Sequence, residues 1–376
     1  MLKKVTASIL AAVMLCCGFV FVGLAEESYA DQIAEYFSDD PMVIRSKYSD
    51  TAVGENVSMV ECGNKVYCFG WNSTQIYDTA ANTWTSAPVM LSLRSEYSAV
   101  ENGGKIYLVG GIIGNEVTDK VDIFDTETGT WSVGQEIPFG FVDGEAVSIG
   151  DNIYCFGGYD DVNHSVKSRD TYIYDTVNQT WSYDGYLPNG GVYTGVAVGS
   201  KIYCTAKYSG DGNYTYVYDT SNNVWSERQI RPSYSYGSVS NQEGKLMKLG
   251  EFLIFINYGS DSGSKVRYAY MPDKDIWVVL PDTLPEMDLP ARRTTIIGDR
   301  IYTIKDSMHD GVMQGRLEIT YIYSNQKIYT NRNNVAVGQR HILVYKDGVL
   351  MSKGNNDYGQ LGNGSTAESD DFVAVN

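Results

Sequence analysis

Histidine is nearly missing from this chain: His164, His309 and His341 are the only three in 376 residues. Imidazole-based metal chemistry needs several rings brought together, and these three stand in separate segments without ligand spacing. The sequence therefore assigns no metal and no cofactor. Cysteine is scarce as well, with six in all, and no CxxC pattern occurs among them. Cys68, Cys155 and Cys204 each follow a tyrosine directly and share one register position. Equivalent positions in packed sheets lie ~10 Å apart, beyond the ~7 Å Cα limit for a disulfide. They are expected as small buried hydrophobes, with a Cys62 to Cys68 bridge as the alternative. Positive charge is short too: 29 Lys and Arg stand against 46 Asp and Glu, a net charge of −17. Such a surface repels phosphate backbones and excludes nucleic acid as a partner. No Ser-His-Asp order and no phosphate-cradling glycine loop stands out, so no catalytic residue is assigned.

The one long apolar run lies at the start. After MLKK the chain is apolar from Val5 to Ala25, with small residues at Gly23-Leu24-Ala25 and Ser28-Tyr29-Ala30. Residues 1–30 read as a bacterial-style secretory signal peptide, which implies a secreted or cell-surface protein with no membrane contact after cleavage. A retained anchor is the rival, since ~20 apolar residues span a bilayer; lipidation at Cys16 or Cys17 is a second. Residues 31–54 form a polar lead-in, with a short helix expected over Asp31–Phe37.

Aromatic residues are plentiful, 30 of them tyrosine, and they recur in order. A strand such as IYCFGG at Ile153 is followed by a polar loop and then YIYDTVNQTW, ending at Trp181. The pattern returns as VYCFGW/QIYDTAANTW, IYLVGG/DIFDTETGTW and IYCTAK/YVYDTSNNVW. An aromatic and a tryptophan stand seven apart five times: Tyr77/Trp84, Phe124/Trp131, Tyr174/Trp181, Tyr218/Trp225 and Tyr270/Trp277. Asp78, Asp125, Asp175 and Asp219 precede a threonine, where a carboxylate accepts backbone N–H groups as an Asx-turn. Two residues before each Trp stand Asn82, Gly129, Gln179, Asn223 and Asp275, mostly types that tolerate positive φ. A hairpin of fixed length is therefore expected to pair each aromatic with its tryptophan. Trp-to-Trp steps of 47, 50, 44 and 52 residues, four strands and a Gly-Gly break indicate propeller blades.

In Gly110-Gly111, Gly157-Gly158, these tyrosines and the five tryptophans, the segment 55–329 resembles the kelch repeat family. The resemblance implies an all-β, kelch-type β-propeller of six four-stranded blades, counted at Tyr67, Tyr107, Tyr154, Tyr203, Leu253 and Tyr302. The sixth has only Tyr329 where a tryptophan should stand. Residues 330–376 change pattern. Gly338, His341, Asp347-Gly348, Gly354-Asn355 and Gly359-Gln360-Leu361-Gly362 resemble a single repeat of the regulator-of-chromosome-condensation family. This extra propeller-type repeat is read either as a seventh blade or as part of a shortened second propeller.

Galactose oxidase has kelch-type blades, but its copper chemistry does not fit three scattered histidines. The sialic acid mutarotase is a second relative with such blades and would need an acid–base pair at the ring's mouth. Aligning the innermost strands on Val60, Val100, Val147, Val198, Val239 and Ile297 places Asn56, Glu96, Asp143, Thr194, Ser235 and Arg293 four residues earlier, at one mouth of the channel. These six are the candidate ligand-binding residues. Loops after the second strands, such as Tyr159-Asp160-Asp161, lack EF-hand spacing and read as ordinary turns. The expected function is an exported binding module for a protein or glycan ligand; the alternative is a sugar-modifying enzyme of the mutarotase type.

Overall fold

The computed structural model describes residues 43–45, 58–70, 74–81, 83–208, 212–232, 244–250, 252–257, 265–279, 294–297, 300–309, 312–321, 335–337, 341–346, 349–354 and 369–374. The 1–30 leader and the Asp31–Phe37 helix expected from sequence lie outside these residues.

The chain is all-β, in a propeller arrangement. Five blades are four-stranded antiparallel sheets built in chain order, the second with a two-stranded hairpin, Ile112–Ile113 and Glu116–Val117, inserted between its second and third strands. Their innermost strands are Ser58–Cys62, Ser98–Asn102, Glu145–Ile149, Tyr193–Val198 and Gly244–Leu249. Their outer strands are Thr83–Ala87, Thr130–Val133, Thr180–Tyr186, Val224–Arg228 and Ile276–Val279. A further sheet joins Thr294–Ile297, Arg300–His309 and Val312–Tyr321, and its fourth strand is Val43–Arg45 from the segment read as a lead-in. Ile301 and Ile296 of this sheet pack on the fifth blade, while Tyr302 and Ile304 pack on Met59, Val66 and Tyr77 of the first. Residues 335–374 hold another four-stranded sheet, ordered as in the chain.

The repeated hairpin forms as its chemistry requires. Each aromatic and its tryptophan are direct cross-strand partners, from Tyr77↔Trp84 to Tyr270↔Trp277. Their ring centroids lie 4.8 to 5.2 Å apart. The Asp78, Asp125 and Asp175 carboxylates each accept the N–H groups two and three residues on, and these donors hold them below the usual carboxylate range. Gln179, Asn223 and Asp275 turn the chain at φ 55°, 58° and 53°.

The tryptophans also join one blade to the blade before it. Trp131 donates its indole N–H to the Pro88 carbonyl and Trp181 to that of Gln135, while Trp225 and Trp277 donate to the Thr171 and Thr215 hydroxyls. A large apolar ring thus fills the gap between sheets and its one polar atom finds a partner there. Cys68, Cys155 and Cys204 are free thiols with no solvent exposure, pushed up in pKa by burial, and Cys62 is free as well.

Candidate functional site

Gly-Gly breaks bring the mouth together. Gly158 lies at φ 87°, and a Cβ there would stand 2.5 Å from the Val142 carbonyl oxygen, a contact no side chain could share. This close approach lets Tyr159 and Val142 exchange both backbone hydrogen bonds, at 2.8 and 3.1 Å. Ile112 and Ser95 do the same one blade earlier, at 2.8 and 3.0 Å. The residue that follows each bridge is a candidate: Glu96 after Ser95 and Asp143 after Val142. Both sit in the left-handed region, at φ 54° and 52°, and the Asp143 N–H donates to the Glu96 carbonyl at 2.8 Å. Left-handed backbone is costly for such residues and persists where surrounding contacts over-determine it.

Their side chains meet groups from the next blade. His164 Nε2 lies 2.6 Å from Glu96 Oε2, and the imidazole packs on the Tyr159 ring at 4.7 Å. His164 is itself at φ 56°, in a loop tied by Asp161, whose carboxylate accepts the N–H groups of Asn163, Ser165 and Val166. Asp143 is buried, receiving the Lys207 ammonium on one oxygen and the Tyr208 hydroxyl on the other, each at 2.6 Å. Deeper on the same inner strand, Glu145 accepts the Gly195 N–H and faces Lys207 and Lys245. Burial pushes its carboxyl up to about 7, against the pull of those two lysines.

Of the six candidates, Glu96 and Asp143 therefore come together. Thr194 does not: its side chain is buried between blades, and its hydroxyl accepts the Leu246 N–H at 3.0 Å. The reason is register. Val147 pairs with Tyr154, but in the fourth blade the partner of Tyr203 is Val196, not Val198, so the equivalent of Asp143 is Val192. Period-two alternation makes Val196 and Val198 indistinguishable by pattern; the turn at Gly199-Ser200 decides between them. Likewise Thr295, not Ile297, pairs with Tyr302, and the fifth inner strand is Gly244–Leu249, which follows Val239. Asn56, Ser235 and Arg293 lie outside the described residues. Sequence reading did not place His164, Lys207 and Lys245, which arrive from other loops and strands, nor Glu145, two residues on from Asp143, while Tyr208 stands in one of the loops that read as ordinary turns. Among the described residues no group of three or more His, Cys, Asp or Glu side chains is placed to hold a metal ion.

The kelch motif family model matches residues 93–137 and 141–185, the second and third blades. These two blades are kelch repeats. Kelch-like protein 41b of Danio rerio is 27% identical over 139 residues, covering 33% of this chain and 23% of that protein. Kelch-like protein 35 of Mus musculus is 32% identical over 127 residues, covering 34% of this chain and 21% of that protein. The chain thus spans under a quarter of the length of either. The solved structure of YjhT superposes with a TM-score of 0.55 at 15% identity, covering 73% of this chain and 95% of that one, a likeness of fold. Both kelch matches include the mouth-forming stretches, Arg94 to Gly111 and Phe141 to Gly158.

Glu145 gives the inner strand of the third blade a pH signature. Its carboxyl is raised from the ordinary 4.5 to about 7, so the folded state holds a proton there that the unfolded chain has released. Stability from this group is greatest below pH 4.5 and falls as pH rises towards 7. Glu145→Gln is expected to flatten that fall, read as the Tm difference between variant and native chain across pH 4.5 to 7. An unchanged slope would show that Glu145 is not the group responsible.

Proposed function

We propose that this protein is an exported kelch-propeller binding module of six blades, closed by the sheet that takes up Val43–Arg45 and acting at the bacterial cell surface or outside the cell. Its ligand is a protein or a glycan, seated on the mouth formed by Glu96, His164, Asp143, Lys207 and Tyr208. The C-terminal sheet, 335–374, is an added propeller-type unit of the regulator-of-chromosome-condensation kind. One observation carries the reading: successive blades present acid, imidazole, ammonium and phenol groups at one mouth, held by backbone that is strained for Glu96 and Asp143. A rigid ring with such loops binds without internal motion.

A glycan and peptide array probed with the mature chain tests this. Binding is expected, and Glu96→Ala combined with Asp143→Asn is expected to weaken it at least tenfold, about 1.4 kcal/mol. Ligand capture that ignores both changes would place the site elsewhere. Glu145 favours a second reading, a sugar-modifying enzyme resembling sialic acid mutarotase, because a carboxyl near 7 gives and takes a proton readily at neutral pH. Anomer interconversion by the native chain that is lost in Glu145→Gln would establish it.

A further inference from the structure

The third blade departs from its neighbours at its outer edge. Its outer strand, Thr180–Tyr186, runs seven residues, against four or five in the other four blades. Tyr183 pairs with Tyr172 while Tyr186 pairs with Asp170, so three steps on the outer strand answer two on its partner. The additional residue falls at Asp184-Gly185, where Gly185 takes φ 89°. In a regular strand residues 183 and 186 would point to opposite faces; the bulge turns both to one. The bulge is fixed from outside, since Asp184 accepts the Tyr218 hydroxyl and the Asn223 amide of the fourth blade.

The outcome is a stair of rings. Phe139 stacks on Tyr172 at 4.2 Å between centroids, Tyr172 meets Tyr183 at 5.2 Å, and Tyr183 meets Tyr186 at 5.6 Å. The Arg169 guanidinium lies 5.8 Å from the Tyr186 centroid. Tyr183 and Tyr186 are 49% and 64% exposed, whereas the motif tyrosines Tyr174 and Tyr218 are at most 1% exposed. Asp170 stands at the upper end of the stair, and its negative charge acts on Tyr172 together with that of Asp160. By register Glu145, Phe156 and Thr171 lie at one level, and the Asp170/Tyr186 pair stands one residue further towards the mouth, so the stair occupies the shoulder roughly 14 Å outward, three strand spacings from the channel.

Exposed aromatic rings in one contiguous patch mark a binding surface. Their chemistry selects the partner. Tyrosine pairs an apolar face with a hydroxyl rim, which suits a pyranose with axial C–H bonds on its faces and hydroxyls at its edge. Asp160, Asp170 and a net charge of −17 repel an anionic ligand. An apolar helix would need an apolar groove, and here the rings are bordered by Arg169 and Asp170. We propose that Phe139, Tyr172, Tyr183 and Tyr186 form a stacking platform for the neutral pyranose rings of a glycan, with Arg169 and Asp170 holding hydroxyls at its rim. The platform is separate from the mouth and stands whether or not the mouth binds anything.

Calorimetric titration of the full chain with cellohexaose, chitohexaose, maltohexaose and mannohexaose tests it, with hexagalacturonate as the anionic probe. At least one neutral oligosaccharide is expected to bind, and Tyr183→Ala and Tyr186→Ala are each expected to weaken it at least tenfold. Tyr183→Phe, which keeps the ring, is expected to retain most of the affinity. An affinity that fell in Glu96→Ala with Asp143→Asn but not in Tyr183→Ala or Tyr186→Ala would seat the sugar at the mouth and overturn the proposal. Binding of hexagalacturonate alone, of no sugar, or of the same sugar equally well by both alanine variants would overturn the proposal. Tyr186, the more exposed ring, carries the test should Tyr183→Ala unfold.

Discussion

Replacing Trp277 with alanine is expected to lower the unfolding free energy by about 3–5 kcal/mol. The indole is only 3% exposed and lies against Tyr270 at 5.1 Å between centroids. Its removal leaves a cavity between the fourth and fifth blades, lined by Tyr203, Leu246 and Tyr268. The hydrogen bond to the buried Thr215 hydroxyl at 2.9 Å disappears with it. Thr215→Val isolates that second contribution, leaving the indole N–H unpaired at a cost of about 1–3 kcal/mol. Urea denaturation of both variants and of the double variant separates the two effects, because the hydrogen bond can be lost only once. A cost below about 1 kcal/mol for Trp277→Ala would mean that the tryptophans do not hold blade to blade.

Asp122→Ala is expected to cost a similar amount, about 3–5 kcal/mol, for an electrostatic reason. Arg94 and Asp122 pair at 2.7 Å with side chains 0% and 2% exposed. Without the carboxylate the guanidinium stays buried and uncompensated, and the Ser92 N–H loses its acceptor too. Burial already draws the Arg94 pKa down against the pull of Asp122. Arg94→Met with Asp122→Leu is expected to recover part of the loss only, because the Gly110 and Lys120 carbonyls then lose the donor that reaches them at 3.1 and 2.8 Å. That pair of carbonyls is also the link to function. Arg94 clamps the strand end at the Gly-Gly break, two residues before Glu96 in the chain. Denaturation curves that coincide for Asp122→Ala and the native chain would remove this clamp from the account.

Much of this was legible in sequence, because the hairpin is a local device. Asp175, Gln179 and Trp181 lie within seven residues, so turn chemistry and strand pairing are fixed by neighbours in the chain. Glu96 and Asp143 were legible for the same reason, each a fixed count from an inner-strand valine. What did not show is contact between segments. Lys207 and Tyr208 reach Asp143 across more than sixty positions, and His164 reaches Glu96 across 68. No local pattern marks such residues, since only the ring brings them near. Thr194 was misplaced because a strand's alternation repeats every two residues and carries no absolute register. Val43–Arg45 is three residues long, too short for periodicity to reveal a strand.

That three-residue strand has a bearing on biogenesis. Arg45 and Val43 pair with Glu318 and Thr320, so the earliest described segment to leave the ribosome completes a sheet made from almost the last of the blades. Until that late hairpin emerges, the first sheet lacks the neighbour that covers Met59 and Tyr77. A nascent chain of this topology leaves that face of its first sheet uncovered through most of its synthesis.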